Sequence, residues 1–213
     1  VLEYLHLFTA AGTLTPSRLS QVYSFLDWDG WSGARVVLRP DSTIPAARLY
    51  IDNLTRLEKA RLYYIQNVFS FEPTGRETRE KWQCGAEFIG GRGPAADAEI
   101  ILMASDILKA LGIENVKIQI LHAGVIKELL NKIEPDPAKQ VELFDRILDG
   151  NIDEVKLENG SGSGLDKVLN LIRNYSGEAE GFLTNLKATV SSLLPAIVPP
   201  LDDFIQVVEL LSP

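Results

Sequence analysis

Along residues 1–95, short β-branched and aromatic runs alternate with turn residues, the pattern of sheet. Tyr23-Ser24-Phe25-Leu26 and Ala34-Arg35-Val36-Val37-Leu38 flank Asp27-Trp28-Asp29-Gly30-Trp31-Ser32-Gly33. A Gly/Asp-rich connection of that kind joins antiparallel strands, so a hairpin is predicted. A second, longer pair spans residues 62–71 and 81–89 across the charged loop Pro73-Thr74-Gly75-Arg76-Glu77-Thr78. Between the pairs, residues 44–57 carry Ala47, Leu49, Tyr50 and Leu54 with Arg48, Asp52 and Arg56 interleaved. That spacing is helical rather than alternating.

From Ala95 the apolar period lengthens, with Ala98, Ile101, Leu102, Ser105, Leu108 and Leu111 on one face. Gly112 is placed to end this helix as its C′ residue. Val116-Lys117-Ile118-Gln119-Ile120-Leu121 then alternates as a strand does. The remainder reads as helices at residues 125–133, 137–148, 165–175, 178–194 and 201–211, with turns at Pro135, Gly150, residues 160–164, Gly177 and Pro199-Pro200. The string Asn159-Gly160-Ser161-Gly162-Ser163-Gly164 lacks both a preceding strand and the glycine spacing of a dinucleotide loop, so it reads as a flexible connection.

Composition narrows the classes. With 213 residues, 46% hydrophobic and 23% charged, the chain is long enough to bury a core and has no signature of disorder. No apolar run reaches the roughly 18 residues of a membrane span. A net charge of −8 and the lack of any Lys/Arg-rich run argue against DNA binding and nonspecific RNA binding. Cys84 is the single cysteine, and only His6 and His122 stand beside it, so neither an internal disulfide nor a metal site is expected. A reducing, cytoplasmic setting fits. The start at Val1, without methionine or leader, sets the expectation of further sequence at both ends.

Three places hold candidate chemistry. Leu38-Arg39-Pro40-Asp41-Ser42-Thr43 puts Asp41 and Thr43 at a strand-to-helix junction. There they either cap the helix or grip an ammonium or hydroxyl of a small ligand. Arg76 and Arg79 lie in the loop between the long strands, either as a solvated tip paired with local glutamates or as guanidinium forks for phosphate. Gln83 and Glu87, with Gly85 between them, share one strand face, which is either wet or turned to a ligand. His122 reads as a capping or structural histidine, and Cys84 as a small hydrophobe in a buried strand. No nucleophile–base pair can be named, and no cofactor is expected.

In order, these segments resemble the class II aminoacyl-tRNA synthetase fold and, within it, the histidyl branch. Leu38 to Thr43 with Ala47-Arg48 is similar to that branch's Leu-Arg-Pro-Glu/Asp-x-Thr…Ala-Arg segment. Residues 68–90, with Gly75-Arg76, Arg79-Glu80, Gln83, Gly85-x-Glu87 and Gly90, resemble motif 2, and residues 1–8 the tail of motif 1. The resemblance implies an α+β fold, an antiparallel sheet flanked by helices with a helical insertion in the C-terminal part. It divides the chain into a synthetase-like core at 1–130, the insertion at 131–198 and a return helix at 199–213. It also places Asp41, Thr43, Gln83 and Glu87 at histidine-binding positions, and Arg76 and Arg79 near ATP-contacting arginines, although the Gly75–Arg79 spacing is one residue longer than usual.

One departure carries weight. Where class II activation uses an arginine after the motif 2 phenylalanine, this chain has Ser70. Losing that contact to a developing charge costs on the order of 3 kcal/mol, hundreds-fold in rate. Such a chain resembles the regulatory-subunit branch of ATP phosphoribosyltransferase, a histidyl-synthetase paralogue. That resemblance implies a non-catalytic partner of the short-form catalytic subunit, a homodimer within a hetero-oligomer, and L-histidine as effector. The alternatives are a histidyl-tRNA synthetase fragment, for which tRNA is a partner, and an interaction domain with an empty pocket.

Overall fold

The computed structural model describes residues 2–11, 19–28, 33–72, 74–148 and 179–212. The chain falls into two compact units, Val1–Gly91 and Arg92–Pro213.

In the first unit, β1 (Leu2–Tyr4), β2 (Ser24–Trp28) and β3 (Gly33–Leu38) form an antiparallel sheet in the order β1-β3-β2. The predicted hairpin is β2–β3, with Phe25 opposite Val36. Val36 and Val37 are consecutive and both buried, so β3 is covered on both faces. Helix α1 (Leu5–Ala10) packs on β3 and contributes Phe8, which is 0% exposed.

The second predicted pair is β4 (Ala60–Phe69) and β5 (Glu80–Ile89), ten residues each, running antiparallel from Ala60 opposite Ile89 to Phe69 opposite Glu80. Past the end of β3, the Arg39 carbonyl accepts from Phe69 N–H at 2.9 Å. The buried Arg39 guanidinium donates to the Asn67 carbonyl from Nε at 3.2 Å and Nη2 at 2.9 Å. A planar fork closing on one acceptor fixes direction as well as distance. These bonds pin the chain entering Asp41 against β4. Helix α2 (Thr43–Asn53) then packs on β4 and β5. It stops short of residue 57, because Asn53 and Thr55 are weak helix formers and Leu57 N–H turns back to the Leu54 carbonyl at 2.9 Å.

The second unit is helical. Helix α3 (Pro94–Ala110) opens on a proline, where no N–H is needed, and carries Asp97 in its first turn and Lys109 in its last. Gly112 has φ +75°, the left-handed value its C′ position requires. Its N–H bonds the Lys109 carbonyl and the next N–H, of Ile113, reaches back to Leu108, which completes a Schellman motif. Residues 116–121 do not form the expected strand. No described strand lies beside them, and alternation gives a ladder only where a partner edge accepts it.

Helices α4 (Ala123–Ile133), α5 (Pro137–Leu148), α6 (Ala179–Val190) and α7 (Val198–Leu211) follow, with a 3₁₀ turn at Pro195–Ile197. His122 caps α4, its Nδ1 accepting from Val125 N–H at 3.4 Å. Val125, Leu129, Leu183, Leu186, Val190, Ile197, Leu201 and Val208 form the core. Lys187 pairs with Asp202 between α6 and α7. Pro199-Pro200 is not a turn but the first turn of α7, where two missing N–H groups cost nothing. The turns expected at Gly150, 160–164 and Gly177 and the helix at 165–175 lie outside the described residues. Among the described residues no helix is long and apolar enough to cross a membrane.

Candidate functional site

The period of two along β4 and β5 sorts their side chains onto two faces. Leu62, Tyr64 and Gln66 stand opposite Glu87, Gly85 and Gln83, and all six are half-buried. The other face presents Tyr63 at 83% exposure and Trp82 at 75%. Cys84 belongs to that second face and is exposed, not buried as its strand position suggested; alternation puts it opposite Ile65 and away from its neighbour Gln83.

Tyr64 connects the predicted residues. Its ring lies across Gly85, where a Cβ would stand 2.3 Å from Cζ and from the hydroxyl oxygen, so any side chain at 85 displaces it. The phenol donates to Glu87 Oε1 at 3.2 Å. The Thr43 hydroxyl and the Asp41 carboxylate lie within electrostatic reach of it. Burial pushes the Tyr64 phenol above its ordinary value of 10.0; the Thr43 hydroxyl opposes this, and Glu87 and the Asp41 charge add to it. At neutral pH the phenol is therefore a donor.

The structure thus bonds Glu87 to the Tyr64 hydroxyl and sets Thr43 and Asp41 near it. Asp41 also does the capping that its position suggested, since its Oδ1 accepts from Ile44 N–H at 3.3 Å. Gln83 lies further along the same face, its Oε1 buried and without a partner among the described residues. The Oγ of Ser42, which is 0% exposed, is in the same condition. A buried acceptor left unpaired costs about 1–3 kcal/mol, which a donor from a ligand recovers. Two carboxylates, a hydroxyl and an amide oxygen make an arrangement suited to a cationic amine or imidazole.

Arg76 and Arg79 sit elsewhere, on the connection beyond Phe69 and Glu80. The Arg79 guanidinium donates from Nε at 3.1 Å and Nη2 at 2.8 Å to the Glu72 carbonyl and lies over the Phe71 ring at 5.4 Å. Arg76 is exposed, its backbone N–H bonded to Glu72 Oε2 at 3.0 Å. Glu72 organises this loop. Its carboxylate accepts from Thr74 N–H at 2.7 Å, from the Thr74 hydroxyl and from Glu77 N–H at 3.4 Å as well. The Thr74 hydroxyl, followed by the backbone N–H groups, holds the Glu72 carboxyl down at about 2. Ser70 N–H bonds the Arg79 carbonyl at 3.0 Å.

Tyr64 and Arg39 are the residues that reading the sequence passed over. For Tyr64 the signal was present: in an antiparallel pairing that sets Gly85 against a tyrosine, the missing side chain is room for a ring.

The profile described as Histidyl-tRNA synthetase matches residues 1–212. The chain belongs to the histidyl-tRNA synthetase family. Within the family it is 48% identical over 212 residues to a protein of Dehalococcoides mccartyi named ATP phosphoribosyltransferase regulatory subunit, covering 100% of this chain and 52% of the relative. A protein of Archaeoglobus fulgidus named Histidine–tRNA ligase is 35% identical over 173 residues, 80% of this chain and 38% of its own length. The crystal structure of an ATP phosphoribosyltransferase regulatory subunit/histidyl-tRNA synthetase from Bacillus halodurans superposes with a TM-score of 0.79 at 26% identity, over 99% of this chain and 53% of that one. The expected α+β, class II synthetase-like architecture is therefore the one present. The chain spans about half the length of these regulatory-subunit relatives.

Proposed function

We propose that this chain is the synthetase-like core of a non-catalytic regulatory subunit of ATP phosphoribosyltransferase, acting in the first step of histidine biosynthesis and its feedback by L-histidine. Ser70 carries the reading. It stands where activation of an amino acid needs a guanidinium on the α-phosphate, and its backbone is tied to Arg79. The nearby Arg79 guanidinium is occupied by the Glu72 carbonyl and the Phe71 ring. The amino-acid side keeps Asp41, Thr43, Gln83 and Glu87 in place to hold histidine. The identity to regulatory subunits over the whole chain supports the same branch.

The mechanism is linkage: histidine that binds two assembly states unequally shifts the population toward the less active one. No covalent step by this chain is needed. The partner is the short-form catalytic subunit, joined by a homodimer of regulatory chains in the cytoplasm. Residues 1–130 form the core, 131–198 an insertion and 199–213 the return helix.

The test is phosphoribosyltransferase activity of a purified short-form catalytic subunit, with and without the full-length protein, under histidine titration. Activation that histidine reverses is the expected result. No effect on the transferase, together with histidine-dependent ATP–pyrophosphate exchange, would replace this reading with a histidine–tRNA ligase.

A further inference from the structure

The four predicted site residues explain which groups meet a ligand but not what orients them. The Glu87 carboxylate ends on a torsion that is broad and roughly two-fold, so nothing in its own chain fixes the direction of its oxygens. Tyr64 does. Its hydroxyl donates to Glu87 Oε1 at 3.2 Å, and Glu87 Oε2 has no hydrogen bond among the described residues. Gln83 Oε1 is a further unpaired acceptor on the same face. Gly85 supplies the space in which the ring lies.

We propose that Tyr64 is a positioning residue of the amino-acid pocket: seated over Gly85, it holds Glu87 by one carboxylate oxygen and so directs Oε2, on the face that also carries the unpaired Gln83 Oε1, toward one cationic, multiply donating ligand. This inference rests on the histidine-binding reading above and deepens it. Tyr64 itself need not touch the ligand. It acts through Glu87.

The experiment is a double-mutant cycle in the full-length protein, with L-histidine affinity read by calorimetry and stability by thermal melting. Tyr64→Phe keeps the ring over Gly85 and removes only the bond to Glu87. It is expected to weaken histidine binding about tenfold with the melting temperature nearly unchanged. In a Glu87→Gln background the same change is expected to weaken binding less than twofold, since the group it orients is already altered. A structural role alone would give no such coupling. Wild-type binding with an unaffected Tyr64→Phe variant, or an equal loss in both backgrounds, overturns the positioning role and leaves the histidine reading standing. A wild-type protein that fails to bind histidine overturns both.

Discussion

The two ends of the β4–β5 ladder carry similar chemistry and are built by different means. At the Glu87 end, Tyr64 and Glu87 come from the two strands and are half-buried, and the exposed Thr43 comes from α2. At the loop end, Glu72 is fully exposed and gathers only Thr74, Arg76 and Glu77, its own neighbours in sequence. The first arrangement exists only when the sheet and α2 are assembled. The second is a local turn that closes on itself, in the way Asx and Ser/Thr motifs do. The difference teaches which side of the site is free to serve a ligand: the assembled end leaves acceptors unpaired, and the local end consumes its own arginine.

Gly85→Ala breaks the assembled end most severely. A methyl group 2.3 Å from the Tyr64 ring forces that ring to leave, which costs about 1–3 kcal/mol of stability as overpacking does. Histidine affinity is expected to fall more than the tenfold expected for Tyr64→Phe. Paired thermal melts and calorimetry check both parts, and an alanine variant with native affinity would show that the ring does not organise this face.

Asp41→Asn sharpens the same comparison from the other side of the pocket. Asparagine caps a helix about as well as aspartate, so the bond to Ile44 N–H survives and stability should change by less than about 0.5 kcal/mol. The charge is lost, however, and a hydrogen bond to a charged group contributes about 1.5–3 kcal/mol, so histidine affinity is expected to fall roughly ten- to hundredfold. Unchanged affinity would reduce Asp41 to a cap.

The two strand pairs, the presence of the described helices and the face shared by Gln83 and Glu87 were legible because they depend on period, and period is written along the chain. Gly112 was legible because a helix end is a local event. The missing strand at 116–121 was not, since a ladder needs an edge that the residues themselves do not specify. Cys84 was misplaced because apolar neighbours suggested burial for both faces of β5, whereas its surroundings, Tyr63, Ile65 and Trp82, are all exposed. Asp41, Thr43, Gln83 and Glu87 were found through family resemblance; that Tyr64 reaches Glu87 over Gly85 depends on register, which follows from pairing rather than from either strand alone.

The loop end should respond more weakly. Arg79→Ala removes two hydrogen bonds to one exposed carbonyl and a cation–π contact with Phe71, together about 1 kcal/mol or less at an exposed site. Histidine affinity should stay within about twofold of native, the size of effect left when a change shares no partner with the pocket. A tenfold loss would mean that the two ends are coupled and the contrast between them is false.

The smallest effect is a titration. The Glu72 carboxyl is held at about 2 in the folded loop against an ordinary 4.5, so between those values the unfolded chain binds more protons than the folded one. Its contribution to stability is therefore complete above pH 4.5 and is lost as the pH falls toward 2. Because Glu72 is fully exposed, the change in global stability is small, and the local signal decides. The amide proton resonances of Thr74, Arg76 and Glu77, which all donate to this carboxylate, should titrate together with a midpoint near 2 and should lose that titration in Glu72→Gln. A common midpoint near 4.5 would mean that the carboxylate does not hold these amides in solution, and the loop would then be shaped by something other than its own glutamate.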